Sequence, residues 1–406
     1  MISIAMIYGA SLQGKSVKNF RSLLIAGLLF APLLLTPCAA QSSAGFATSK
    51  LAQSPPMGWN SWNKFACDVS ERLIRETADA MVSSGMKAAG YQYVNIDDCW
   101  QGSRDAQGNM VADPARFPSG IKALADDIHS KGLKLGIYTD AGTLTCEGRP
   151  GILNHELQDM KTYAAWGVDY IKIDWCNTDG LDSEVQYTKI RDAIAKAGRP
   201  IVFSICNWSI DAPWRWAPAI SNLWRTTGDI KDNYSRMAEI GFLQNGLEKF
   251  SGPGHWNDPD MLEVGNGGMT RDEYRTHMAL WAILAAPLIA GNDLRSMSPA
   301  IHDILTNKEV IAINQDALGR QGRRVWKDGD REVWTKQLKD GSRAVILFNR
   351  GSAAQEITAT WEQIGYPAHL AATVRDLWLH QEVGKATGKF AATVPSHAVV
   401  MVTIKP

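Results

Sequence analysis

Tyr170-Ile171-Lys172-Ile173-Asp174-Trp175-Cys176 is a short β-branched run with two charges placed two residues apart. Alternate strand positions share a face, so Lys172 and Asp174 point the same way while Ile171 and Ile173 point the other. A run this short and this apolar reads as a parallel strand covered by helices. Working outward from Asp169–Asp174, similar runs recur at Met57–Trp62, Tyr93–Asp97, Lys134–Thr139, Ile201–Ile205, Leu223–Thr226, His255–Asn257 and Pro287–Gly291. Helical segments alternate with them. Leu73, Ile74, Thr77, Ala78, Met81 and Val82 keep a 3.6-residue period behind a predicted Asp68/Glu71 capping box, and Thr270/Glu273 repeat the capping pattern before Tyr274–Ala286. Eight strand-then-helix units in about 265 residues predict a (β/α)8 TIM barrel over residues 54–320. An open doubly wound sheet is the alternative, but no G-x-G-x-x-G opens a helix.

Beyond Gly319 the helical period disappears. Glu332–Leu338, Arg343–Asn349, Glu356–Trp361, Ala372–Leu379 and Ala398–Ile404 read as strands, with Asp328-Gly329-Asp330 and Lys339-Asp340-Gly341 as turns. They predict a small C-terminal antiparallel β-sandwich domain over 322–406. At the other end, Lys15, Lys18 and Arg21 precede the apolar run Leu23–Leu35. That run falls short of the roughly 20 residues a membrane span needs. It reads as an export signal over 1–40, cleaved after Ala40, with a short linker over 41–53. The mature chain is then secreted or periplasmic. Lipoprotein anchoring at Cys38 is the alternative reading, and no stable membrane span is expected.

The chain of 406 residues balances 42 Lys plus Arg against 42 Asp plus Glu. That balance argues against a nucleic-acid partner, which needs a basic face. Fifteen Trp outnumber ten Tyr and ten Phe, and flat rings suit sugar faces as well as cores. The eight His lack an H-E-x-x-H and the cysteines lack a C-x2-C, so neither a metal nor another cofactor is expected. Past the signal, Cys67, Cys99, Cys146, Cys176 and Cys206 remain. In an oxidising compartment this odd set implies two bridges and one free thiol, with the pairing left open.

A barrel of this kind carries its site at the carboxyl ends of the strands. Those positions hold Trp62, Asp97-Asp98, Tyr138, Lys172 with Asp174, Cys206 with Trp208, Arg225 with Asp229, and Asp258 with Asp260. Glycoside hydrolysis needs two carboxyls across the scissile bond and further groups to hold hydroxyls. On this reading Lys172 keeps Asp174 ionised as a nucleophile, and Asp229 stays protonated as an acid once substrate excludes water. The plain alternatives are a Lys172–Asp174 ion pair, a surface Arg225–Asp229 pair and core roles for Trp62 and Trp208. A metal-assisted barrel enzyme and a silent galactoside-binding protein are rival classes.

Pro55-Pro56-Met57-Gly58-Trp59-Asn60-Ser61-Trp62, Asn95-Ile96-Asp97-Asp98-Cys99-Trp100, Lys172-Ile173-Asp174-Trp175-Cys176 and Trp256-Asn257-Asp258-Pro259-Asp260-Met261 resemble family 27 of the glycoside hydrolases, chiefly α-galactosidases or melibiases. The likeness runs in order from Ser54 to Gly319. It implies a retaining enzyme acting on a small or oligomeric α-galactoside, with Asp174 as nucleophile and Asp229 as acid/base. It further implies that Asp97 and Asp98 bind the 4- and 6-hydroxyls, that Trp62 packs at C6, and that Tyr138 and Lys172 line the pocket. Arg225 would reach the 2- and 3-hydroxyl region and Asp260 would close the pocket. The same resemblance implies Cys67–Cys99 and Cys146–Cys176 bridges, with Cys206 free beside the 2-hydroxyl. Asn207 stands where many relatives have Glu. Cys206 and the bulky Trp208 favour a plain 2-hydroxyl over the 2-acetamido group of an α-N-acetylgalactosaminidase. Asp97-Asp98 has the galactosidase form rather than that of a β-L-arabinopyranosidase.

Overall fold

The structure, a computed structural model, describes residues 50–406. The predicted export signal, Cys38 and most of the linker lie outside these residues. Within them no helix is long and apolar enough to cross a membrane.

Eight parallel strands form the first sheet: β1 (Met57–Asn60), β2 (Tyr93–Ile96), β3 (Lys134–Asp140), β4 (Tyr170–Asp174), β5 (Val202–Cys206), β6 (Leu223–Arg225), β7 (Trp256–Asp258) and β8 (Leu288–Ala290). Their order is β8-β1-β2-β3-β4-β5-β6-β7. The edges β7 and β8 share no ladder. The chain leaving β7 joins them instead, because Leu262 N–H donates to Ile289 at 2.8 Å and Gly291 N–H donates back to Leu262 at 2.9 Å. The sheet thereby curls into a cylinder. Tyr93, Tyr170, Val202 and Leu223 cluster together with Leu51 against them, so the last linker residues pack on the barrel. Ala52 also accepts the Trp256 indole N–H at 2.7 Å.

Helices α1 (Glu71–Ser83), α2 (Gly120–Ser130), α3 (Glu156–Trp166), α4 (Ser183–Lys196), α5 (Tyr234–Leu243), α6 (Arg271–Ile283), α7 (Pro299–Leu305) and α8 (Lys308–Asn314) surround the strands. The predicted Thr270/Glu273 capping box is present at α6. The Asp68/Glu71 box is not: Ser70 caps α1 by accepting from Leu73 N–H. Glu71 is the first helical residue and cannot reach back as an N3 residue does. It accepts from Arg75 and from Ser119 N–H instead. The β5–β6 connection departs from the predicted unit as well. It contains two 3-10 turns, Pro213–Arg215 and Ala217–Ala219, and no α-helix. Pro213 and Pro218 remove the N–H groups a longer helix would use.

The C-terminal domain comprises β9 (Arg323–Asp328), β10 (Arg331–Gln337), β11 (Arg343–Asn349), β12 (Gln355–Thr360), β13 (Ala371–Asp376), β14 (Gln381–Thr387), β15 (Lys389–Val394) and β16 (Val399–Lys405). Six strands form one antiparallel sheet in the order β9-β10-β11-β16-β13-β14, and β12 pairs with β15. Alternation sorts the central side chains. Val333, Val345, Leu347 and Val402 face a core shared with Ile357, Ala359 and Val394 of the small sheet. Trp334, Ala344, Ile346, Phe348 and Met401 belong to the barrel's own core cluster. The centre of the large sheet is therefore buried on both faces, while its edge strands β9 and β14 are largely exposed.

Candidate active site

The strand ends surround a cavity of about 320 Å³. Trp62, Asp97, Asp98, Tyr138, Lys172, Asp174, Trp208, Arg225, Asp229 and Asp260 all line it. Cys206 and Asp258 do not; they line a smaller cavity together with Asn60, Asn95, Tyr170 and Ser204. Arg225 covers Cys206, donating to its Sγ at 3.4 Å.

Backbone donors fix the paired acids after β2. Asp97 N–H donates to Ser61 Oγ at 3.0 Å, and Asp97 in turn accepts from Asp98 N–H at 3.0 Å. Asp98 accepts from Cys99 N–H at 2.7 Å and Glu147 N–H at 3.1 Å. Asn60 adds a 2.7 Å bond to Asp97 Oδ2, while its Oδ1 accepts from Trp62 N–H at 2.8 Å and so sets the start of the Trp62 turn.

Lys172 does not pair with Asp174 as the spacing on the strand suggested. Its Nζ reaches Asp97 Oδ2 at 3.0 Å and stands 5.1 Å from the Tyr138 ring centroid. Asp174 is 5% exposed and accepts from Trp175 N–H at 3.1 Å. Burial pushes its carboxyl up to about 6, with the Lys172 charge opposing that rise. Arg225 is buried and its Nη2 serves two acids: it pairs ionically with Asp260 at 2.8 Å and donates to Asp229 at 3.0 Å. It is no surface pair. The Asp229 side chain, 66% exposed, stands at the rim. Desolvation there pushes its carboxyl up, but Arg225 and Lys172 outweigh it and hold it below the ordinary carboxylate range. Asp260 sits at φ 90° and accepts from Ile230 and Met261 N–H groups at 2.8 Å. Trp208, Ser209, Asp211 and Ala212 also have positive φ. Each costs about 1–3 kcal/mol outside glycine, so the neighbouring packing must hold this loop beside the cavity.

The structure joins Cys67 to Cys99 and Cys146 to Cys176, and leaves Cys206 free and buried. The second bridge lies beside Asp140 and Asp174, and donor atoms of all four side chains fall within 4.8 Å of one another. Among the described residues this is the one grouping of ligand type. Its sulfurs are consumed by each other, so it offers no thiolate to a metal.

Three site residues escaped the sequence reading. Asn63 and Glu263 line the main cavity, and Asp140 is fully buried at the end of β3. Asp140 could have been found from its place at a strand end. Glu263 lies in a loop and carries no such signal.

The alpha galactosidase A family model matches residues 54–316, and the alpha galactosidase C-terminal beta sandwich model matches residues 328–404. An α-galactosidase of Cyamopsis tetragonoloba is 52% identical, covering 89% of this chain and 88% of that protein. Alpha-galactosidase A of Cellvibrio japonicus is 49% identical over 95% of this chain and 98% of its own. The crystal structure of α-galactosidase I from Mortierella vinacea superposes with a TM-score of 0.85 at 40% identity, covering 88% of this chain and 98% of that one. A carboxylate-lined cavity at the mouth of a parallel barrel, a β-sandwich behind it and these matches lead to one assignment: the chain belongs to the α-galactosidase (melibiase) family of glycoside hydrolases.

Proposed function

We propose that the protein is an exported, retaining exo-α-galactosidase that removes terminal non-reducing α-D-galactosyl residues. The observation that carries this reading is the presence of Asp174 and Asp229 in one cavity, the first buried and the second at the rim. Asp174 attacks the anomeric carbon while Asp229 protonates the leaving oxygen. The glycosidic bond breaks as the Asp174–sugar ester forms. Asp229, now ionised, takes a proton from water, and the resulting attack releases galactose and frees Asp174.

Asp229 is ionised in the open cavity. A sugar that displaces water from around it raises its affinity for a proton, as the acid role requires. Asp97 and Asp98, each locked by backbone donors, present their remaining lone pairs to hydroxyls. The two disulfides support an oxidising location, secreted or periplasmic.

The test is release of p-nitrophenol from the α-galactoside, the β-L-arabinopyranoside and the α-N-acetylgalactosaminide, with and without EDTA. Chelator-insensitive release from the α-galactoside is expected. Preference for either of the other two sugars moves the specificity, and no release overturns the reading. Asp174→Asn is expected to fold normally and lose turnover. A retaining pair stands about 5–5.5 Å apart; a separation of about 6.5–9.5 Å in a substrate complex would indicate inversion.

A further inference from the structure

Glu263 is 4% exposed and lines the catalytic cavity. Its partners are neutral amides: Asn63 donates to Oε1 at 2.7 Å and Asn266 to Oε2 at 2.5 Å. The other cavity acids outside the nucleophile are held differently. Asp97 has Lys172, Asp229 and Asp260 share Arg225, and Asp98 is held by backbone N–H groups. The ring of His277 accepts Glu263's backbone N–H at 3.3 Å and brings no charge, because burial lowers its pKa to about 3. A buried carboxyl facing a cavity without a cation is costly, and each of its oxygens can accept two hydrogen bonds. After the two amide bonds, half of that capacity is unused while the carboxyl is ionised; burial pushes its pKa up to about 7, and below that value it carries a proton to donate instead. A sugar hydroxyl, both donor and acceptor, is a partner in either state. Asn63, also in the cavity wall, is held by the same carboxyl, so its amide oxygen is oriented as well.

We propose that Glu263 is a specificity-determining residue that hydrogen-bonds one hydroxyl of the bound sugar, with Asn63 fixed beside it. The proposal rests on the α-galactosidase reading. It adds to the strand-end residues a loop residue that couples the β1 and β7 ends of the barrel around the substrate.

The experiment compares p-nitrophenyl α-galactoside with its 2-, 3-, 4- and 6-deoxy analogues on the wild type and on Glu263→Gln. Gln keeps the volume but turns an NH2 group toward an amide donor. In the wild type, deleting the recognised hydroxyl is expected to lower kcat/KM about 10- to 100-fold, the scale of a lost hydrogen bond in a site built for it. Glu263→Gln is expected to lose a similar factor on the parent sugar, mostly in KM, and to lose no more than about twofold further on that one analogue. The other analogues keep their full penalties.

Equal penalties for every analogue in both proteins would make Glu263 a structural strut and overturn the proposal. Glu263→Asp, whose carboxylate is one methylene short, gives the same comparison where Glu263→Gln does not fold. No turnover of the parent sugar by the wild type would instead overturn the α-galactosidase reading.

Discussion

Asp174 and Asp229, the proposed catalytic pair, both feel the Lys172 and Arg225 charges. The deeper burial of Asp174 and the neighbouring Asp97 push it up while Asp229 is held low, and on the proposed mechanism this sets the pH dependence. A retaining pair must hold one proton between its two carboxyls, with the acid protonated and the nucleophile not. In the free protein Asp229 is held low by Arg225 and Lys172, so the pair's last proton leaves as pH rises through the Asp174 value of about 6. Above that point both are ionised and no acid remains. kcat/KM is therefore expected to fall as pH rises through about 6, in a profile measured on the α-galactoside; a plateau extending to alkaline pH would refute this assignment. The residue types of the site were legible in the sequence, because a barrel delivers strand-end residues to one mouth. Their pairings were not. Neighbours two apart on a strand stand about 6.6–6.8 Å apart. The Lys172 ammonium instead reaches Asp97 over the intervening strand β3, a contact that depends on strand order and leaves no periodic trace.

Among the elements, the corner where β3 and β4 end carries Asp174, the proposed nucleophile, and has little tolerance. Asp140 accepts from Gly142 N–H at 2.7 Å and from Cys176 N–H at 2.8 Å, fixing the backbone two residues beyond Asp174. A Cβ on Gly142 would lie 2.2 Å from the Cys176 carbonyl oxygen and 2.4 Å from that of Asn177. Gly142→Ala is expected to cost about 1–3 kcal/mol of stability and to lower kcat, because the backbone that must yield carries Asp174. Calorimetry and steady-state rates on the same sample check both. An unchanged Tm would mean that the two loops can part without loss.

Strands buried on both faces were readable as apolar runs, as β10 and β11 show. β14 was missed because most of it is exposed, and β9 because Arg323, Lys327 and Asp328 dilute its apolar positions. The missing β5–β6 helix was legible in Pro213 and Pro218. The counting of eight equal units overrode them.

The whole molecule unfolds as one body if its cores are as continuous as their contacts indicate. Trp334, Ile346, Phe348 and Met401 of the β-domain lie in the same apolar cluster as the barrel helices. One cooperative calorimetric transition is expected, and two resolved transitions would contradict the shared core. Lys336 sits in this junction, 1% exposed, donating to the Ile313 carbonyl at 2.5 Å near the end of α8. Burial lowers its pKa from the ordinary 10.5 to about 7, with Asp316 only partly offsetting this. The unfolded chain binds the proton more tightly, so the destabilisation is full below about pH 7 and lifts as pH rises toward 10.5. Lys336→Met is expected to raise Tm at pH 6 and to lose that advantage at pH 10; a gap independent of pH would show that the ammonium is not the cause.

Cys206 gives this fold a clock of its own. It is the free cysteine of the described residues, roofed by Arg225 at the floor of the active cavity. A thiol reagent reaches it only when the barrel opens. The rate at which Cys206 is alkylated, followed by intact mass, would time the opening of the catalytic floor without any engineered label.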